Sequence, residues 1–211
     1  LPKPVGYTHR LNATTAHTCK GVAHALVALY ENWSIPPVNG VPRAFNERHV
    51  PLVGRGSSLP EFVFTTTDNN TSNPHPVALE HYVRTLAERW GCDATELVVT
   101  VVLIERAVRK DRTVLQPFTM RILLLAALAV AVQVGADCGL KLDHLWEAIA
   151  DDLDELELRA FGRAQRRFLK LIGWSVPNEL DTYRIYARAL NAYANQVRGV
   201  AEPTPSVENV W

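Results

Sequence analysis

The chain of 211 residues is long enough to enclose one substantial core, and its 47% apolar content is that of a globular protein rather than a disordered chain. Lys plus Arg number 22, Asp plus Glu number 22, and the resulting formal charge of zero gives no overall footprint for nucleic acid or an anionic membrane. Cys19, Cys92 and Cys138 are scattered and lack metal-ligand spacing, which argues against a disulfide framework and for an intracellular setting, cytoplasm or nucleus.

In chain order, the first expected element is a helix over about Ala16 to Trp33, with Val22, Leu26, Leu29 and Trp33 spaced by three and four. Pro36 and Pro37 end it. A long stretch to about Pro76, rich in Pro, Gly, Asn, Ser and Thr, reads as an irregular arm with short apolar islands such as Phe62-Val-Phe64. From Val77 to Trp90 a stripe of Leu79, Tyr82, Val83, Leu86 and Trp90 predicts a helix stopped by Gly91. Asp93-Ala-Thr-Glu96 has the form of a capping box for another helix, running to about Lys110. Its run Leu97 to Ile104 is β-branched enough to suggest a strand on propensity, but the cap and the flanking helices favour a buried helix.

Pro117 opens an apolar helix through about Val134. Its run Ile122 to Val132 is shorter than the ~20 apolar residues that a membrane span requires, so a core helix is expected. A short helix near Leu142–Ile149 carries Trp146, and a further one covers about Leu153 to Ile172. The latter starts among Asp151, Asp152, Asp154 and Glu155 and finishes among Arg166, Arg167 and Lys170, an order that complements the helix macrodipole. The Arg166-Arg167 pair reads as a solvated helix face. A last helix spans about Glu179 to Gln196, followed by a loose tail. The fold class expected is all-α, without a βαβ rhythm or hairpin turns.

No glycine-rich phosphate loop, HExxH or GxSxG sequence occurs, and the histidines do not fall at ligand spacing on a helix. The expectation is a protein that is not an enzyme and needs no cofactor or metal.

Six phrases stand in order along the chain: Val77-Ala-Leu79-Glu-His-Tyr82-Val, Val101-Val-Leu-Ile-Glu105-Arg106, the run Met120 to Gln133, Asp137, His144-Leu-Trp146-Glu-Ala-Ile149, and Gln165-Arg-Arg-Phe168-Leu-Lys-Leu-Ile-Gly-Trp174. Together they resemble a cyclin box, a five-helix unit with a central apolar helix ringed by four others. In pattern the chain is most similar to the phosphate-pathway (P/U-type, PCL-like) cyclins. The resemblance implies three segments: residues 1–75 as amino-terminal helix and arm, 76–176 as the box, and 177–211 as a carboxy-terminal helix and tail. It implies a regulatory subunit that binds and activates a cyclin-dependent protein kinase, in cell-cycle or nutrient signalling, with neither nucleic acid nor membrane as a partner.

In that family a lysine on the third box helix and a glutamate on the fifth hydrogen-bond to kinase backbone groups. The matching positions here are Gln133 and Gln165. An amide keeps a donor and an acceptor but lacks charge assistance, a loss on the order of 1 kcal/mol per bond. The resemblance also implies apolar docking residues, Leu124, Leu128 and Val132 with Phe161, Phe168 and Leu169; the same helical spacing equally describes a core. Asp137 would face an arginine of the kinase activation segment, or else lie in solvent or cap the next helix. The family pairs a first-helix arginine with an aspartate before Arg106; here Thr85 and Glu105 stand instead, so Glu105 is expected to reach Arg84 or another base. Two other readings stay open, a cyclin-fold adaptor that activates no kinase and an unrelated helical bundle with a deep ligand pocket.

Overall fold

The computed structural model describes residues 10–33, 45, 64–66, 72–116, 119–136, 140–150, 158–176 and 179–196. The fold is all-α. Among the described residues the helices are α1 (Ala13–Trp33), α2 (Pro76–Trp90), α3 (Ala94–Lys110), α4 (Met120–Gly135), α5 (Leu142–Glu147), α6 (Leu158–Leu171) and α7 (Leu180–Gln196). One difference from the expectation is a small antiparallel ladder in the arm, β1 (Phe64–Thr66) with β2 (Ser72–Pro74), in the register Phe64 to Pro74. Three-residue strands are too short to leave an alternating pattern in the sequence.

Local chemistry sets the helix ends. The Asn12 side chain accepts from Thr15 N at 2.7 Å and opens α1. His75 caps α2, whose first residue is Pro76, and Gly91 ends it with a φ of 62°, a left-handed conformation that glycine adopts without cost. At α3 the capping box is formed: Asp93 accepts from Thr95 N at 2.5 Å, and Glu96 accepts from Asp93 N at 2.8 Å. Thr119 holds the approach to α4, its hydroxyl accepting from Gln116 N at 2.9 Å and donating to the Val114 carbonyl. The expected start of α4 at Pro117 and the acidic start of α6 lie outside the described residues.

Every residue of α4 from Met120 to Val132 is buried, so this helix has no solvent face within that run. Helices α3 and α6 pack against it. Two aromatic side chains of α2 fasten neighbours by polar handles: Tyr82 Oη donates to the Arg121 carbonyl at 3.2 Å, and Trp90 Nε1 donates to the Leu145 carbonyl of α5 at 2.9 Å. Trp90 also stacks on Phe161 of α6, with ring centroids 6.3 Å apart. Helix α1 lies across α2, α3 and α7 and buries Cys19, Val22, Leu26 and Leu29. Cys19 and Cys92 are free, buried thiols; burial pushes the Cys19 thiol up to about 12 and Cys92 well above its ordinary range, so both stay protonated and inert.

The crossing of α1 and α7 is close because Gly21 has no side chain. A β-carbon there would sit 2.3 Å from the Leu190 carbonyl oxygen, a backbone atom that cannot rotate away. Gly21→Ala is therefore expected to destabilise the protein by about 1–3 kcal/mol through forced separation of the two helices. A denaturant midpoint equal to or above that of the wild type would show that the helices do not approach this closely.

Candidate functional site

The buried run of α4 ends at Val132, and Gln133 is the first residue whose side chain partly leaves the core. The two glutamines matched to the family's lysine and glutamate are in contact here. Gln165 Nε2, on α6, donates to Gln133 Oε1 in a short hydrogen bond, and Gln133 Nε2 donates to the Leu140 carbonyl at 3.0 Å. Gln165 is buried to within 7% and Gln133 is half-buried. This chain of amides joins α4, the segment before α5, and α6 at the end of the central helix. Val134, the next residue along α4, is 58% exposed, and Leu140 is half-buried. Leu169, one helical turn beyond Gln165, is also half-buried. Sequence reasoning missed Val134 because it continues the apolar run of α4, and spacing alone does not tell where a helix leaves the core.

The other residues matched to the docking patch lie deeper. Leu124 and Leu128 on α4 and Phe161 and Phe168 on α6 are at most 1% exposed, and Val132 is 7% exposed. They fill the α4–α6 seam and give a partner no surface in this conformation. Asp137 lies outside the described residues.

Glu105 occupies a polar node in the core. Its carboxylate is nearly inaccessible, forms an ion pair with Arg109 one turn on, and accepts a short hydrogen bond from Tyr186 Oη of α7. Arg84 is engaged elsewhere, with Glu80 at 2.6 Å, so the base that Glu105 reaches is Arg109. Arg109 in turn shares the Trp33 ring with Arg112, at 5.9 and 4.9 Å from its centroid. Arg106 Nη1 donates to the Ser175 carbonyl at 2.9 Å, tying α3 to the turn after α6.

A cleft of about 380 Å3 lies between α3 and α7, walled by Val98, Val99 and Val102 and by Leu180 and Tyr183. It is open-sided, and Leu180 is 59% exposed. Among the described residues no group of three or more His, Cys, Asp or Glu is placed to hold a metal ion, and no helix is long and apolar enough to cross a membrane.

The chain matches no family model, no curated protein and no solved structure.

Burial raises the Glu105 carboxyl above its ordinary value of 4.5, with the Arg109 charge pulling partly back. A raised carboxyl pKa means the folded protein keeps this proton to a higher pH than the unfolded chain. Between those two values the folded state binds more protons, so stability falls as pH rises through them. Glu105→Gln, which does not titrate, is expected to gain stability relative to the wild type as pH goes from about 4 to 7. Denaturant midpoints measured across that range check it; a constant difference would mean that Glu105 titrates as it does in open solution.

Proposed function

We propose that this protein is a regulatory subunit that binds and activates a cyclin-dependent protein kinase and performs no chemistry of its own. The observation that supports this reading is the meeting of Gln133 and Gln165. Two positions 32 residues apart, which the resemblance matches to the family's kinase-contacting pair, are hydrogen-bonded to each other across α4 and α6. A rigid helical surface of this kind acts by population shift: it favours the active kinase shape only as far as it binds that shape more tightly than the inactive one. The contact surface is the rim of Val134, Leu169 and the outward side of the two amides. The succession α2 to α6, with α4 at its centre, is the box, and α1 and α7 brace it.

A second reading, an adaptor of the same fold that binds other proteins without activating a kinase, is favoured by one feature. The two amides are neutral and spend their bonding capacity on each other and on Leu140. A kinase would have to be bound without charge-assisted hydrogen bonds.

The test mixes the purified chain with a panel of monomeric cyclin-dependent kinases and follows complex formation by size-exclusion chromatography and substrate phosphorylation. The expected result is a one-to-one complex and a rise in activity with at least one kinase. Val134→Asp, at an exposed position, is expected to weaken that complex about tenfold while leaving thermal unfolding unchanged. The pair Gln133→Lys with Gln165→Glu is expected to tighten it by about tenfold. A complex without activation favours the adaptor, and no complex with any kinase at micromolar concentration overturns the proposal.

A further inference from the structure

We infer that the outer face of α6 is a docking surface for a short acidic peptide segment of a partner protein. This helix contains five basic residues and no acidic one. At about 100° per residue, Arg159, Arg163, Arg166, Arg167 and Lys170 fall in one stripe about 100° wide. All five are exposed, while Phe161, Ala164, Gln165 and Phe168 on the opposite side are buried. Among the described residues no carboxylate forms an ion pair with any of the five. Like charges three and four residues apart disfavour a helix by about 0.2–0.5 kcal/mol per pair, so the stripe is a standing local cost that an anionic partner would remove.

The carboxy-terminal end of the stripe adds a different chemistry. Trp174 is 62% exposed and has a φ of 57°, a left-handed conformation uncommon for a bulky residue. Its N–H closes the helix on the Leu169 carbonyl at 2.8 Å, which leaves the indole in water. Bases of α3 lie against its two neighbours in sequence. Lys110 Nζ lies 3.5 Å from where a β-carbon on Gly173 would sit, and Arg106 holds the Ser175 carbonyl.

Size and charge decide the occupant. From Arg159 to Lys170 the stripe is about 17 Å long, the reach of about five residues of extended peptide. Four of the five bases are arginines, whose planar fork suits carboxylates, and the indole at one end suits an apolar residue. A nucleic acid would carry its charge far past so short a stripe, onto a molecule whose formal charge is zero. The chain's own run of Asp151, Asp152, Asp154, Glu155 and Glu157 stands just before α6 in sequence, and the test must separate it from a foreign segment.

The experiment uses the full chain and a fluorescein-labelled peptide of about eight alternating Asp and Glu residues ending in Leu, read by anisotropy at about 50 mM salt. No kinase is present, so the outcome is independent of the function proposed above. The expected result is saturable micromolar binding, weakened about tenfold or more by Arg163→Glu, Arg166→Glu and Arg167→Glu together. Trp174→Ala is expected to weaken it a few-fold, and neither variant should lower thermal stability; relief of like-charge repulsion should raise it in the charge reversal. Three results overturn the inference: an affinity indifferent to the charge reversal, tighter binding of a single-stranded oligonucleotide of equal charge, or binding that emerges only after the acids of 151–157 are changed to amides. The last would mean that the chain's own acids cover the face.

Discussion

Burial of α4 on all sides is the constraint from which the rest of the arrangement follows. A helix that is apolar around its whole circumference from Ile122 to Val132 has no face to offer water, so it must be enclosed. Each large side chain in that run, such as Ile122, Leu125 or Leu128, contributes about 1.5–3 kcal/mol by leaving water. Ala126, Ala127, Ala129 and Ala131 have little side chain to bury and instead leave room for the neighbouring helices. Where the apolar run stops, the chain must turn polar, and Gln133 marks that point. Its position at the mouth of the α4–α6 seam is thus a consequence of core length, and the same boundary places Gln165 opposite it.

Apolar burial alone would permit several rotations of such helices about one another. A few polar contacts reduce that freedom. Tyr82 and Trp90 each bury a large ring and direct one donor to a backbone carbonyl on another element. The Glu105 carboxylate, tied to Tyr186 and Arg109, links α3 to α7. A buried charge of this kind is a weak source of net stability and a strong source of register, because a shifted helix would leave the carboxylate unpaired in the core. The outer layer depends in turn on Gly21, which lets α1 and α7 touch backbone to backbone. The binding surface we propose sits on elements fixed in this way, and rigidity is what a population-shifting partner requires.

Much of this architecture was readable in the chain itself, for local reasons. Asp93 and Glu96 announce α3, and they decide the β-branched run Leu97–Ile104 in favour of helix, as the structure has it. Gly91 marks the end of α2, and Lys110 the end of α3. What spacing does not separate is a docking face from a core face. Leu124 and Leu128 recur at four residues and Phe161 and Phe168 at seven in either case, and only three-dimensional packing puts them inside. The Gln133–Gln165 contact joins positions 32 residues apart, and no periodicity within one helix encodes it. The basic stripe of α6 was visible as separate residues, but a total charge of zero conceals how unevenly the charge is distributed.

The central claim is that α4 is the innermost element, released only when the whole molecule unfolds. Native-state hydrogen exchange of the backbone amides from Leu123 to Val132, followed against denaturant, tests this most directly. The account predicts that these amides exchange only by global unfolding, with one shared opening free energy equal to the stability of the protein. Exchange of the same amides through local openings, while α2 and α3 remain protected, would contradict it.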